Sequence, residues 1–129
     1  MSISSMDLLA LAKSLADDPE SEAHHRSGAS RGYYAAYLAA EQLDRLLQLP
    51  DPAGRRQGVH EMLIRRLNAH GFKEEAARLR DAKNVRRDAD YKVSDDFSRG
   101  QAQESVLASE LLTIELVQLH ETAQIMGYK

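Results

Sequence analysis

Residues 29–47 read ASRGYYAAYLAAEQLDRLL. Ala29, Tyr33, Ala36, Tyr37, Ala40, Leu43 and Leu47 recur at gaps of 4, 3, 1, 3, 3 and 4, the period of one helical face and not the alternation of a strand. Small residues on that face let a neighbouring helix approach closely, while the tyrosine hydroxyls need a polar partner or water if buried. A long helix with so wide an apolar face needs at least two packing neighbours.

The flanking sequence supplies them. Before the quoted stretch, Ser5 to about Asp17 reads as a helix with Ser5 as N-cap and Leu8, Leu11, Ala12 and Leu15 facing inward. Pro19 fits the first turn of the second helix, where Glu20 and Glu22 favour the positive end. That helix extends to about Leu49, with Ser27, Gly28 and Ser30 weakening its early turns and offering a point of division. Pro50-Asp51-Pro52-Ala53-Gly54 is a loop. A third helix covers about Gly58 to Ala69, with Val59, Met62, Leu63 and Leu67 on one face, and His70-Gly71 closes it. A fourth runs from Lys73 to about Lys92 on Ala76, Leu79, Ala82, Val85 and Ala89. Phe97 anchors the next turn, and a last helix runs from Ser98 or Gln101 to about Met126. Its face of Leu112, Leu116, Leu119, Ala123 and Met126 is widened by Leu107, Leu111 and Ile114. The predicted fold is all-α, an antiparallel bundle of four to five helices in one domain spanning 1–129.

Composition removes several function classes. The 129 residues include no Cys and no Trp, with 43% apolar and 29% charged side chains. Disulfide scaffolds, cysteine nucleophiles and thiolate zinc sites are excluded together. No run approaches the roughly 20 apolar residues of a membrane span, and neither terminus reads as a targeting signal, so a cytoplasmic protein is expected. The formal charge of −3 is unevenly divided: residues 1–54 carry four basic and eight acidic side chains, 55–87 ten and four, and 88–129 three and eight. A basic middle third implies either an anion-binding surface or helices that neutralise one another on packing.

The five histidines show neither HxxxH nor HExxH spacing, so no metal site and no cofactor are expected. Arg55 with His60 and Arg65 with His70 each enclose four residues, a spacing that suits an endoribonuclease with His for proton transfer and Arg as phosphate clamp. Chance alone yields about one such match among five histidines. Arg86 and Asp90 stand at i and i+4, and an inward Asp90 would need a cation, for which Arg31 is the candidate in an interhelical clamp.

Two blocks, Ser30-Arg31-Gly32-Tyr33-Tyr34-Ala35-Ala36-Tyr37-Leu38-Ala39-Ala40 and Arg86-Arg87-Asp88-Ala89-Asp90-Tyr91, together resemble the HEPN family, the higher eukaryotes and prokaryotes nucleotide-binding domain. The resemblance spans roughly residues 5–126. It implies a compact helical bundle that commonly forms a homodimer, often beside a nucleotidyltransferase partner in toxin–antitoxin pairs. Many members are metal-independent RNases with an Arg-x(4–6)-His motif on the helix matching residues 73–92. Here Arg86 matches the motif arginine, but Tyr91 stands where the histidine falls, and a phenol with a pKa near 10 is a poor base at neutral pH. The expectation is therefore a non-catalytic module that binds RNA, a nucleotide or a partner protein. Arg86, Arg87 and Arg31 would contact phosphate, with Asp90 and Tyr91 orienting them. The alternatives are an endoribonuclease toxin using Arg55/His60 or Arg65/His70, and a purely structural dimerisation protein.

Overall fold

The computed structural model describes residues 3–127; residues 1, 2, 128 and 129 of the expected domain lie outside the described residues. Five helices follow one another: α1 (Ser5–Ala16), α2 (Glu22–Leu47), α3 (Val59–Ala69), α4 (Lys73–Tyr91) and α5 (Arg99–Ile125). No strand occurs among the described residues. The fold is the expected all-α bundle, with five helices.

α2 is the centre, packed against α1, α3, α4 and α5. Its 26 residues span about 39 Å at the helical rise of about 1.5 Å per residue. Its face of small residues and tyrosine sits at the heart of the core: Tyr33, Ala36, Ala40 and Leu43 are buried with Leu63, Leu67, Leu79, Leu112 and Leu116. A second, smaller cluster joins Ala12, Ala16 and Ala29 to Ala89, Phe97, Ala102 and Val106. Each fully buried leucine contributes roughly 1.5–3 kcal/mol relative to exposure.

The starts of α1, α2 and α5 are set by side-chain oxygens. Ser4, not Ser5, caps α1, exchanging hydrogen bonds with Asp7 in a reciprocal capping box, and Ser5 is the buried first helical residue. Pro19 lies ahead of α2 and not in its first turn, because the Asp18 carboxylate accepts from the N–H groups of Glu20 and Ser21 at 2.9 and 2.7 Å and holds a turn there. Ser21 then caps α2 through the His24 N–H. Ser98 and Gln101 form a second reciprocal box at α5.

α2 stops at Leu47, short of the expected Leu49, because Gln48 adopts a left-handed conformation with φ 52°. α3 closes through Gly71 at φ 97°, with the Phe72 N–H donating to the Leu67 carbonyl at 2.9 Å. The expected division of α2 at residues 27–30 does not occur. A Cβ at Gly28 would stand 3.0 Å from both the carbonyl oxygen of Ala12 and the amide nitrogen of Ala16. The glycine thus lets the α1 backbone lie directly on α2 and does not break the helix.

Several outer apolar positions differ from expectation. Val59 is exposed, and so are Leu107, Leu111, Ile114 and Met126. α5 packs on α1, α2 and α4, and the stripe that widens its apolar face projects from the bundle on the remaining side.

Candidate functional site

The chemistry-bearing side chains converge where the N-terminus of α3 meets α2 and α4. There Arg55, Gln57, Gly58, Val59, His60, Glu61, Arg65, Lys83 and Arg86 line an open cleft of about 730 Å³. Four cations thus face one carboxylate. α3 begins at Gly58 without any side-chain cap, which leaves its first N–H groups and the positive end of its dipole at the cleft.

His60 forms the inner wall with an aromatic cluster from α2. Its ring lies nearly parallel to those of Tyr37 and Tyr33, with centroids 4.3 and 5.7 Å away, while Tyr34 meets it edge-on at 6.0 Å. The Tyr33 hydroxyl contacts His60 Nδ1 at 2.5 Å. Burial, reinforced by the charges of Arg86 and Lys83, holds the His60 pKa below its ordinary value. Burial likewise pushes the Tyr33 phenol up, so it stays protonated at neutral pH. Tyr37 is raised for the same reason, with Glu41 adding to it.

Arg86 forms the floor. Its guanidinium lies over the faces of Tyr33 and Tyr34, 5.6 Å from each centroid, and Nη1 donates to Asp90 Oδ2 at 3.2 Å. Nε is buried and has no hydrogen-bond partner. Burial opposes its charge, but the Asp90 hydrogen bond and neighbouring charges outweigh that and hold its pKa above the ordinary value. On the rim, Glu61 accepts from Arg80 Nη2 at 2.7 Å and from Lys83 Nζ at 3.5 Å.

The structure sorts the expected site residues. Arg55, His60 and Arg86 come together in one cleft. Arg65 reaches the same cleft, but its guanidinium donates to the carbonyls of Arg55 and Ala53 at 2.6 and 3.0 Å, pinning the loop before α3. His70 sits at the far end of α3 against the Pro50 carbonyl at 3.0 Å. The structure therefore does not bring Arg65 and His70 together; both residues secure the 48–58 segment. Arg87, Tyr91 and Arg31 are exposed and do not line the cleft. No ion pair joins Arg31 to Asp90 among the described residues. Asp90 instead pairs with Arg86, its neighbour one turn away.

The interhelical clamp exists elsewhere. Arg66 on α3 grips the buried Asp44 of α2 through Nε and Nη2 at 3.0–3.2 Å and reaches Asp51 with Nη1 at 3.0 Å. A second hub missed in the sequence is Arg26, which donates to the carbonyls of Ala89 at 2.9 Å, Lys92 at 3.2 Å and Asp95 while lying over the Phe97 ring. It closes the C-terminal end of α4. Nothing in the spacing of the sequence signals either hub, since each joins residues at least 15 positions apart.

In comparisons with protein-family models, curated proteins and solved structures, nothing matched the chain. The functional reading therefore rests on the cleft. Among the described residues no group of three or more His, Asp or Glu side chains is placed to hold a metal ion. Likewise, no described helix is long and apolar enough to cross a membrane.

Proposed function

We propose that this protein is a HEPN-like helical module that binds phosphate groups of a nucleotide or RNA without cleaving them. One observation carries the reading: Arg86, whose buried Nε lacks a partner, lies at the floor of a cleft where Arg55, Lys83 and an uncapped helix start also converge on one face. Donors so arranged suit an oxyanion. Arg86 and Arg55 replace the expected trio of Arg86, Arg87 and Arg31 as the phosphate contacts. The HEPN resemblance supplies the proposed setting: a cytoplasmic homodimer, beside a nucleotidyltransferase partner, in a toxin–antitoxin or stress-defence pair.

Binding of inorganic phosphate and of a short RNA, measured by calorimetry at low and moderate salt, tests this reading. Binding is expected to weaken as salt rises, and Arg86→Ala is expected to reduce it about tenfold or more. Unchanged binding in that variant sinks the proposal.

The endoribonuclease reading keeps one supporting observation, that Arg55, His60 and Arg86 share the cleft. Incubation with total RNA in chelator separates the two readings: cleavage abolished by His60→Ala would establish the enzyme. Light scattering at micromolar concentration tests the homodimer.

A further inference from the structure

This inference rests on the anion-binding reading and concerns which anion the cleft takes and how His60 meets it. Tyr33 is wholly buried, and its hydroxyl has His60 Nδ1 as its hydrogen-bond partner at 2.5 Å. A buried phenol that keeps its proton must donate it. Nδ1 therefore accepts with its lone pair, and a neutral imidazole that accepts at Nδ1 carries its proton on Nε2. His60 lines the cleft, and Nε2 is the ring nitrogen left for a ligand. In this tautomer it has no lone pair with which to take a proton from a substrate.

The rest of the cleft is just as one-sided. Arg55, Lys83 and Arg86 only donate. Glu61, the one carboxylate of the lining, already accepts from Arg80 and Lys83. Apart from the Gln57 amide and the remaining lone pairs of Glu61, no lining side chain offers an acceptor to an acidic ligand proton. Three neighbouring cations are engaged, Arg56 with Asp51, Arg66 with Asp44 and Asp51, and Arg80 with Glu61, while the exposed Arg31 and Arg87 do not line the cleft. A polynucleotide backbone would need a track of free cations beyond the cleft.

We infer that the cleft binds the fully ionised phosphate of a phosphate monoester on a compact molecule, and that the neutral His60 reads it through Nε2–H. A monoester brings about −1.5 to −2 charges at neutral pH, more than a single diester, and when fully ionised it has acceptors only. The charged and titratable groups around His60 are Tyr33, Tyr34, Tyr37 and Glu41 from α2, Lys83 and Arg86 from α4, Glu61 and Arg65 on its own helix and Arg55 from the preceding loop. Burial, reinforced by the cations among these, favours the neutral imidazole, and none of the groups needs to change ionisation for the site to form at neutral pH.

Calorimetric titration with inorganic phosphate, ribose 5-phosphate and sulfate at fixed ionic strength tests the assignment. Ribose 5-phosphate is expected to bind about tenfold more tightly at pH 7.5 than at pH 5, following a second ionisation near pH 6. Inorganic phosphate is expected to follow the same direction with its midpoint about one pH unit higher. Sulfate, already dianionic, is expected to stay within about twofold between about pH 6.5 and 8. Affinity that falls with rising pH for all three overturns the proposal, since an imidazolium would then be the binding form. His60→Gln keeps a donor near the Nε2 position and is expected to bind ribose 5-phosphate within about threefold of wild type, whereas His60→Leu loses about tenfold. Equal losses overturn the donor role. Tighter binding of a 5′-hydroxyl oligoribonucleotide than of ribose 5-phosphate overturns the compact monoester. If no probe binds the wild-type protein, the anion-binding reading itself falls. A reversed pH trend with binding intact overturns this inference and leaves the anion-binding reading standing.

Discussion

Asp44 and Arg66 hold α2 to α3 through a charge pair that is largely shielded from water, with side chains only 12% and 17% exposed. Two guanidinium nitrogens meet the carboxylate, and a third turns to Asp51, so the pair fixes both the helix contact and the start of the connecting loop. Removing Arg66 leaves Asp44 shielded and unpaired, and removing Asp44 leaves the shielded Arg66 with Asp51 alone. Asp44→Ala is expected to lower the unfolding free energy by about 3 kcal/mol in urea denaturation. Arg66→Met should cost a similar amount, and the double variant Asp44→Leu with Arg66→Met should cost clearly less than the two together. Strictly additive losses would show that the two residues do not act as a pair.

Gly28 sits where α1 and α2 touch backbone to backbone. Gly28→Ala improves intrinsic helix propensity by about 1 kcal/mol, yet places a methyl 3.0 Å from two backbone atoms of α1. Neither atom belongs to a flexible side chain, so the helices must separate. A net destabilisation of about 1–3 kcal/mol is expected from thermal or urea unfolding. A stabilised Gly28→Ala protein would mean that α1 yields easily.

Arg26 satisfies carbonyls at the end of α4 and in the turn that follows. Its side chain is only 11% exposed, so Arg26→Ala leaves those acceptors without their donor and the Phe97 ring without its cover. A loss of about 2–3 kcal/mol is expected. Faster amide exchange should appear in residues 88–97 before the rest of the bundle. Uniform exchange across the chain would show that Arg26 does not act locally.

His60 gives the protein a pH dependence near neutrality. Because its folded pKa lies below the ordinary value, the unfolded chain takes up a proton first on acidification. The stabilisation is complete above the unfolded value of about 6.5 and declines as pH falls through the lowered folded value. The wild-type urea midpoint should therefore fall between about pH 7 and pH 5, and His60→Gln should remove most of that slope. A second decline belongs lower on the scale. The Phe97 N–H holds Glu22, and Arg66 holds Asp51, below the usual carboxylate values, so their contributions are lost only below about pH 4. An unaltered slope in the His60 variant would assign the neutral-range effect to other groups.

The helix order was legible because helical periodicity is a local property. Each stripe, from Ala29 to Leu47 and from Leu112 to Ala123, is written within one element, and the breakers at Pro50, Pro52 and Gly71 lie where the chain must turn. Arg86 also stood out in the sequence, through the motif it resembles. Its companion did not: Arg55/His60 and Arg65/His70 have the same spacing, and only packing separates them. α3 sends its first turn toward the tyrosines of α2 and its last turn toward Pro50.

By itself, then, the sequence determined the all-α class, the five segments and the basic middle third, since these follow from neighbours three or four residues apart and from composition. Tertiary structure alone decided that Arg66 and not Arg31 makes the interhelical clamp, that Gly28 is a contact and not a break, and that His60 joins Arg86 under a tyrosine wall. Those relationships link residues 12 to 53 positions apart. Such partners are chosen by the relative placement of whole helices, which depends on how every buried face fills space at once and leaves no trace in any local spacing.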